Sequence, residues 1–202
     1  FSLMEYFQFT RDQSFLTDKK QKIIDDINFI RDRRAERMTP AYEADDKKEF
    51  YGIFPESASH EGYIDPPRHS YWDDFWALRG LDDAARIFRI LGDEKTAAWA
   101  ETERGHFLTC VRKSLERVMA KKKISYIPGC AELGDPDATS IAIAIWPCLL
   151  RSELPEPAVT ATFEMYWNEL SKRFKPDWEG VFTPYEIRNA NAFLLTGQQD
   201  KL

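Results

Sequence analysis

The 202-residue chain is expected to be all-α, built from helical hairpins in two layers, and three observations carry that expectation. Apolar residues recur at helical spacing along most of the chain. Helices rich in aromatic or small residues alternate with charged amphipathic ones, so the first kind reads as buried inner helices and the second as half-exposed outer ones. Short turns such as Leu91-Gly92-Asp93 follow the inner helices, whereas long loops at 39–69 and 122–137 precede them. Composition agrees, since 43% hydrophobic residues, among them 6 Trp, 8 Tyr and 14 Phe, support a packed core and exclude global disorder.

The elements follow in order. Thr17 is the expected N-cap of a helix over 18–38, with Ile23, Ile27 and Ile30 on one face. Arg31, Arg33, Arg34 and Arg37 sit at its C-terminal end, where the helix dipole favours cations, and Pro40 stops it. A segment over 70–91, aromatic all round its first turns, is expected to be buried and to close with Gly92 at C′. An amphipathic helix over 94–121 carries Ala97, Ala100, Phe107, Cys110, Val111, Leu115 and Val118 as its inner stripe. Asp137 is the natural N-cap of an apolar helix over 138–150. Pro155 and Pro157 open another that reaches about residue 174, and a last inner helix runs over 184–195.

Stacked hairpins of this kind make either an open solenoid or a closed α/α toroid. Solenoid repeats have short, regular connections; the loops here are long, irregular and loaded with carboxylates and aromatics, which favours a toroid occupying 1–202 as a single domain. With 28 Lys+Arg against 34 Asp+Glu, the net charge of −6 gives no electrostatic reason to approach nucleic acid or an anionic membrane. No apolar run approaches the roughly 18 residues of a spanning helix, the longest being 141–150 with Pro147 inside it, so a soluble chain is expected. Its opening at Phe1, mid-pattern, reads as a cut. Cys110, Cys130 and Cys148 lack CxxC spacing and read as buried free thiols.

Three clusters carry the chemistry. The first runs from Glu56, His60 and Glu61 to His69, Tyr71, Trp72, Asp73, Asp74 and Trp76. It interleaves flat aromatic faces, which suit the C–H side of a sugar ring, with carboxylates and imidazoles that suit its hydroxyls. Asp73 and Asp74 also fall in a first helical turn, where carboxylates are favoured for the fold alone. The second cluster holds Glu132, Asp135 and Asp137. Its Asp-x-Asp spacing lacks the Gly and Glu of a calcium loop, and no metal site is expected. The third places Glu186 at the start of the last inner helix, where Thr183 and Glu186 also make a capping box. All three lie at the N-terminal rim of inner helices, and cleavage of a glycosidic bond needs two carboxyl groups flanking that bond. Ser59-His60-Glu61 is no nucleophilic triad, because neighbours in the chain seldom meet the geometry and no G-x-S-x-G occurs. Dinucleotide and P-loop glycine patterns are absent as well, so no cofactor is expected.

At these residues the chain resembles the six-hairpin glycosidase superfamily, the (α/α)6 toroids that include glucoamylase-like hydrolases and maltose phosphorylases. Tyr6-Phe7-Gln8-Phe9-Thr10-Arg11-Asp12 followed by Phe15-Leu16 is similar to a recurring inner-helix ending of that superfamily, with Arg11 where Gly is usual. His69-Ser70-Tyr71-Trp72-Asp73 is similar to a segment whose Trp-Asp pair contacts the sugar, which implies that role for Trp72 and Asp73. Tyr185-Glu186 with Asn189 and Asn191 is loosely similar to the segment carrying the general acid, which implies Glu186 as acid; a different superposition implies Glu132. The resemblance implies a glycoside hydrolase acting on an oligosaccharide or polysaccharide. Twelve helices make a complete toroid, so about seven imply roughly half a barrel, with the remainder on sequence not present. Two other readings stay open: a non-catalytic scaffold or sugar-binding module, and a toroid-type epimerase or isomerase using His60 and His69 as acid and base.

Overall fold

The computed structural model describes residues 1–58, 63–175, 177–179 and 182–201. Among them all regular structure is helical, with three isolated antiparallel bridges in the loops and no strand. Helices α1 (Ser2–Thr10) and α2 (Gln13–Ala35) form a first hairpin, α3 (Tyr71–Ile90) and α4 (Glu94–Lys122) a second, and α5 (Ala138–Ile145) and α6 (Ala158–Arg173) a third; α7 (Ile187–Leu195) follows. The pairing of α3 with α4 is the most extensive, and α5 lies between α3 and α7. α2 packs on α3, and α6 rests against α5 and α7.

One contiguous core draws on all seven helices, from Met4 in α1 to Phe193 in α7. α3 anchors it with Phe75, Leu78, Leu81 and Phe88, none of them exposed to solvent. Each such side chain contributes about 1.5–3 kcal/mol by leaving water. Every residue of the stripe expected on α4 is buried, joined by Ser114. Asp93 and Asp137 cap α4 and α5 by accepting the backbone N–H of Thr96 and Ser140, and Gly92 takes φ 73° behind α3. All three cysteines are free and buried.

Several boundaries differ from those expected. α2 begins at Gln13 because Asp12, not Thr17, caps it, accepting the N–H of Phe15; the Thr17 hydroxyl donates instead to the Gln13 carbonyl inside the helix. The apolar run over 138–150 is helical only to Ile145. Trp146 precedes a proline and is forced into extended backbone (φ −147°, ψ 128°), after which the Cys148 and Leu150 N–H groups turn back to the carbonyls of Ile143 and Ala144. The expected capping box is present, but it heads a 3-10 turn over Pro184–Glu186 ahead of α7. α7 is not a fully buried inner helix, for it buries Asn189, Ala192 and Phe193 while Ile187 is 75% exposed. α1 departs in the same way, with Met4 buried and Phe9 open to solvent. Burial therefore holds for all of α5 but Thr139 and for most of α3.

Candidate functional site

α3 begins where the long loop after α2 ends, and its first two turns form one wall of an open cavity of about 590 Å³. Trp72, Asp73 and Trp76 supply that wall, loop residues Phe54, Glu56 and Ser57 a second, and Phe29, Ile30 and Arg33 of α2 a third. The two indoles meet edge to face at 6.1 Å between centroids, and the Arg188 guanidinium of α7 stacks 4.9 Å above the Trp72 ring. Asp73 accepts a 2.5 Å hydrogen bond from the Ser57 hydroxyl. Burial pushes its carboxyl up from the ordinary value, and the Ser57 bond offsets only part of that. Glu56, on the same cavity, is pulled the other way. Partial burial pushes its pKa up, but its own backbone N–H and the Arg37 guanidinium hold it below the ordinary value. Of the residues expected to bind substrate, this cavity brings together Glu56, Trp72, Asp73 and Trp76.

Behind Glu56 lies a relay of polar groups. Arg37 donates to Glu56 and, at 3.3 Å, to Nε2 of His69, which stands 3.7 Å from Glu56. With Nε2 accepting, the imidazole proton sits on Nδ1, 2.7 Å from Glu132 Oε1. The His69 backbone N–H also donates to Glu132, at 3.1 Å. Burial pushes the Glu132 carboxyl up, but its hydrogen bonds with the His69 ring and backbone outweigh that and hold it below the ordinary value. Two backbone bonds that flank the residues in question bring this pair together, Ala131 N–H to the His69 carbonyl and Tyr71 N–H to the Gly129 carbonyl. Gly129 leaves room on its other side for Tyr63 and Asp137, since a Cβ there would lie 2.3 Å from the Tyr63 hydroxyl and 2.8 Å from the Asp137 Cβ.

Other expected binding residues are turned to structural use. Tyr71 is fully buried, its hydroxyl 2.7 Å from Ser114, and no ligand in the cavity can reach it. Asp74 points away from the cavity, is 1% exposed, and accepts the Phe54 N–H at 2.9 Å. Two consecutive helical positions point about 100° apart, so only one of the pair can face the cavity. His69 is 3% exposed and stacks on Phe50 at 4.4 Å, which leaves it a positioning group rather than a sugar contact. Asp135 accepts from the Tyr63 hydroxyl at 2.5 Å and from the Cys130 thiol, and Asp137 is spent on capping α5. Glu186 accepts from Tyr166 and Arg173, each at 2.7 Å, and from the Thr183 N–H. Burial pushes its carboxyl up, yet these three donors hold it below the ordinary value, an environment opposite to the one a general acid needs. His60 and Glu61 lie outside the described residues. Among the described residues no group of His, Cys, Asp and Glu is arranged to hold a metal ion, and no helix is long and apolar enough to cross a membrane.

Sequence reasoning missed Arg37, Ser57 and Phe54. Arg37 reads as one more cation at a helix end, and nothing local signals that it faces His69, 32 residues away. No family model, curated protein or solved structure matches the chain.

Proposed function

We propose that the chain is a glycoside hydrolase, with the Trp72–Trp76 cavity as its sugar site. Asp73 is the proton donor in this reading, Glu56 the ionised carboxylate, and Trp72, Trp76 and Phe54 the stacking faces. The observation that carries it is a pair of carboxyl groups on one aromatic-walled cavity whose surroundings move their pKa values apart, Asp73 upward and Glu56 downward. Such divergence is how one carboxyl stays protonated as acid while its neighbour stays ionised. Glu132 acts through His69 and Arg37 to orient Glu56. The (α/α)6 toroid, of which this chain would form about half, belongs to the same proposal; the contacts that run from α3 to α5 to α7, with α4 against α3 and α6 against α5 and α7, support it.

The test is release of reducing sugar from a panel of oligosaccharides. Asp73→Asn is expected to lower turnover by about 10² to 10⁴, the usual worth of a positioned general acid. Substrate affinity should survive, and wild-type activity should fall as pH rises through the elevated Asp73 titration. Unchanged turnover in both Asp73→Asn and Glu56→Gln would refute the assignment. A second reading, a sugar-binding module without catalysis, is favoured by the full engagement of Glu132 and Glu186 in structural hydrogen bonds. Calorimetric binding of an oligosaccharide that is never cleaved would select it.

A further inference from the structure

A second cavity, of about 330 Å³, opens between α4 and the loop after α2. Its α4 wall carries His106, Lys113 and Arg117, spaced at seven and four residues and so on one helix face. Lys48 and Tyr51 come from the loop opposite, and Glu43 stands among the lining groups. Like charges four residues apart on a helix repel, and a helix normally answers them with carboxylates at the same spacing. This molecule does so on α2, pairing Lys22 with Asp26, and elsewhere it answers Arg104 and Arg173 with carboxylates from other elements, Glu153 and Glu186. Here it does not. Among the described residues neither Lys113 nor Arg117 has an ion-pair partner, and the one partner of Lys48 is Asp45, 3.7 Å away and fully solvated. In a chain of net charge −6, this is a concentration of cations with no structural use for them.

Behind the lining residues His106 and Cys110 lies a buried donor, Arg34. Arg34 is 1% exposed, held by its Nε–H bond to the Gly52 carbonyl at 2.9 Å. Its Nη2 lies 3.3 Å from Nδ1 of His106. A guanidinium only donates, so Nδ1 accepts, and the imidazole carries its proton on Nε2, which no group among the described residues engages. We propose that this cavity binds a small phosphomonoester, its phosphate held by Arg117, Lys113 and Lys48 and its organic body seated against Tyr51 and His106. Phosphate is the anion that suits the set, because a guanidinium fork and two ammonium groups can share its three terminal oxygens. The volume exceeds what a bare phosphate fills and lies within the range of small-molecule sites. The inference is independent of the carbohydrate reading, since no lining residue of this cavity borders the other.

The test is calorimetric titration of the 202-residue chain with inorganic phosphate and with phenyl phosphate, beside sedimentation with vesicles containing a phosphoinositide. Both soluble probes should bind at one site, phenyl phosphate more tightly, with affinity falling as salt is raised. Arg117→Ala and Lys113→Ala, at solvent-exposed positions, should each weaken phenyl phosphate by about tenfold or more and the double substitution should abolish binding, whereas Lys122→Ala on the same helix should not. Circular dichroism confirms that each variant is folded. Absence of a phosphate-dependent signal, or affinity retained in the folded double variant, would overturn the proposal. So would binding to vesicles without binding to either soluble probe, which assigns the cations to a lipid surface.

Discussion

Asp74 shows how one residue positions the loop wall of the cavity. Its Oδ1 accepts the Phe54 N–H while its Oδ2 is buried without a hydrogen-bond partner. Burial pushes the carboxyl well above its ordinary value, with the charge of Asp73 adding and the Phe54 N–H and Arg34 offsetting only in part. The folded state therefore keeps a proton that the unfolded chain gives up above about pH 4, and this residue lowers stability as pH rises beyond that point. Asp74→Asn keeps the acceptor and removes the titration. It should match the wild type at low pH and exceed it by a growing margin toward neutrality in urea unfolding. Asp74→Ala leaves the Phe54 N–H without its acceptor and should cost about 1–3 kcal/mol. Equal losses in both variants would show that Asp74 is ionised in the fold. The same residue marks the reach of sequence reading at the site. Trp72 and Asp73 were legible because aromatics and carboxylates alternate locally. That Asp73 faces the cavity while Asp74 and Tyr71 face the core depends on which side of α3 meets α4 and the 52–55 segment, a fact of packing. Glu132 and Glu186 read as acids because their donors, His69 and Arg173, lie 63 and 13 residues away.

At the scale of the element, patterns spanning one helix were legible and competition between neighbouring signals was not. The α4 stripe follows from a repeat that needs no partner to interpret. The start of α2 required a choice between Asp12 and Thr17, both good caps, and burial decides it, since starting at Gln13 brings Leu16 into the core with Ile23 and Ile27. Asp12→Ala should accordingly cost about 1 kcal/mol, the usual worth of an N-cap, while Thr17→Ala should change thermal stability little. The reverse order would return the helix start to 18. Arg11, just before that cap, closes α1 at φ 59°, ψ 18°. The departure from the glycine of the resembled motif thus falls on a left-handed residue, where a side chain costs about 1–2 kcal/mol and the motif's glycine is the natural occupant. α5 ends early for a reason also written in the chain, Trp146 before Pro147, but the apolar run around them masks it.

For the whole molecule, the shared core has a thermodynamic consequence. Residues from all seven helices belong to one cluster, and α3 touches α2, α4 and α5, so no subset of helices can leave without exposing the face of another. Cooperative unfolding follows when every element depends on the same buried surface. The six tryptophans sample different parts of the chain, with Trp72 and Trp76 on α3, Trp99 on α4, Trp146 after α5, Trp167 on α6 and Trp178 in the loop after it. Helix loss by circular dichroism and tryptophan fluorescence should therefore report a single, coincident urea transition. Leu78, on α3 and fully buried, lies within that core. Leu78→Ala should destabilise by about 2–5 kcal/mol and move both signals together. If the core were two cores, fluorescence and circular dichroism would separate, and Leu78→Ala would shift only the transition that includes α3 and α4. Coincidence in the variant as well as in the wild type is the outcome that makes residues 1–201 one folding unit, with the sugar cavity and the cationic cavity sharing a single stability.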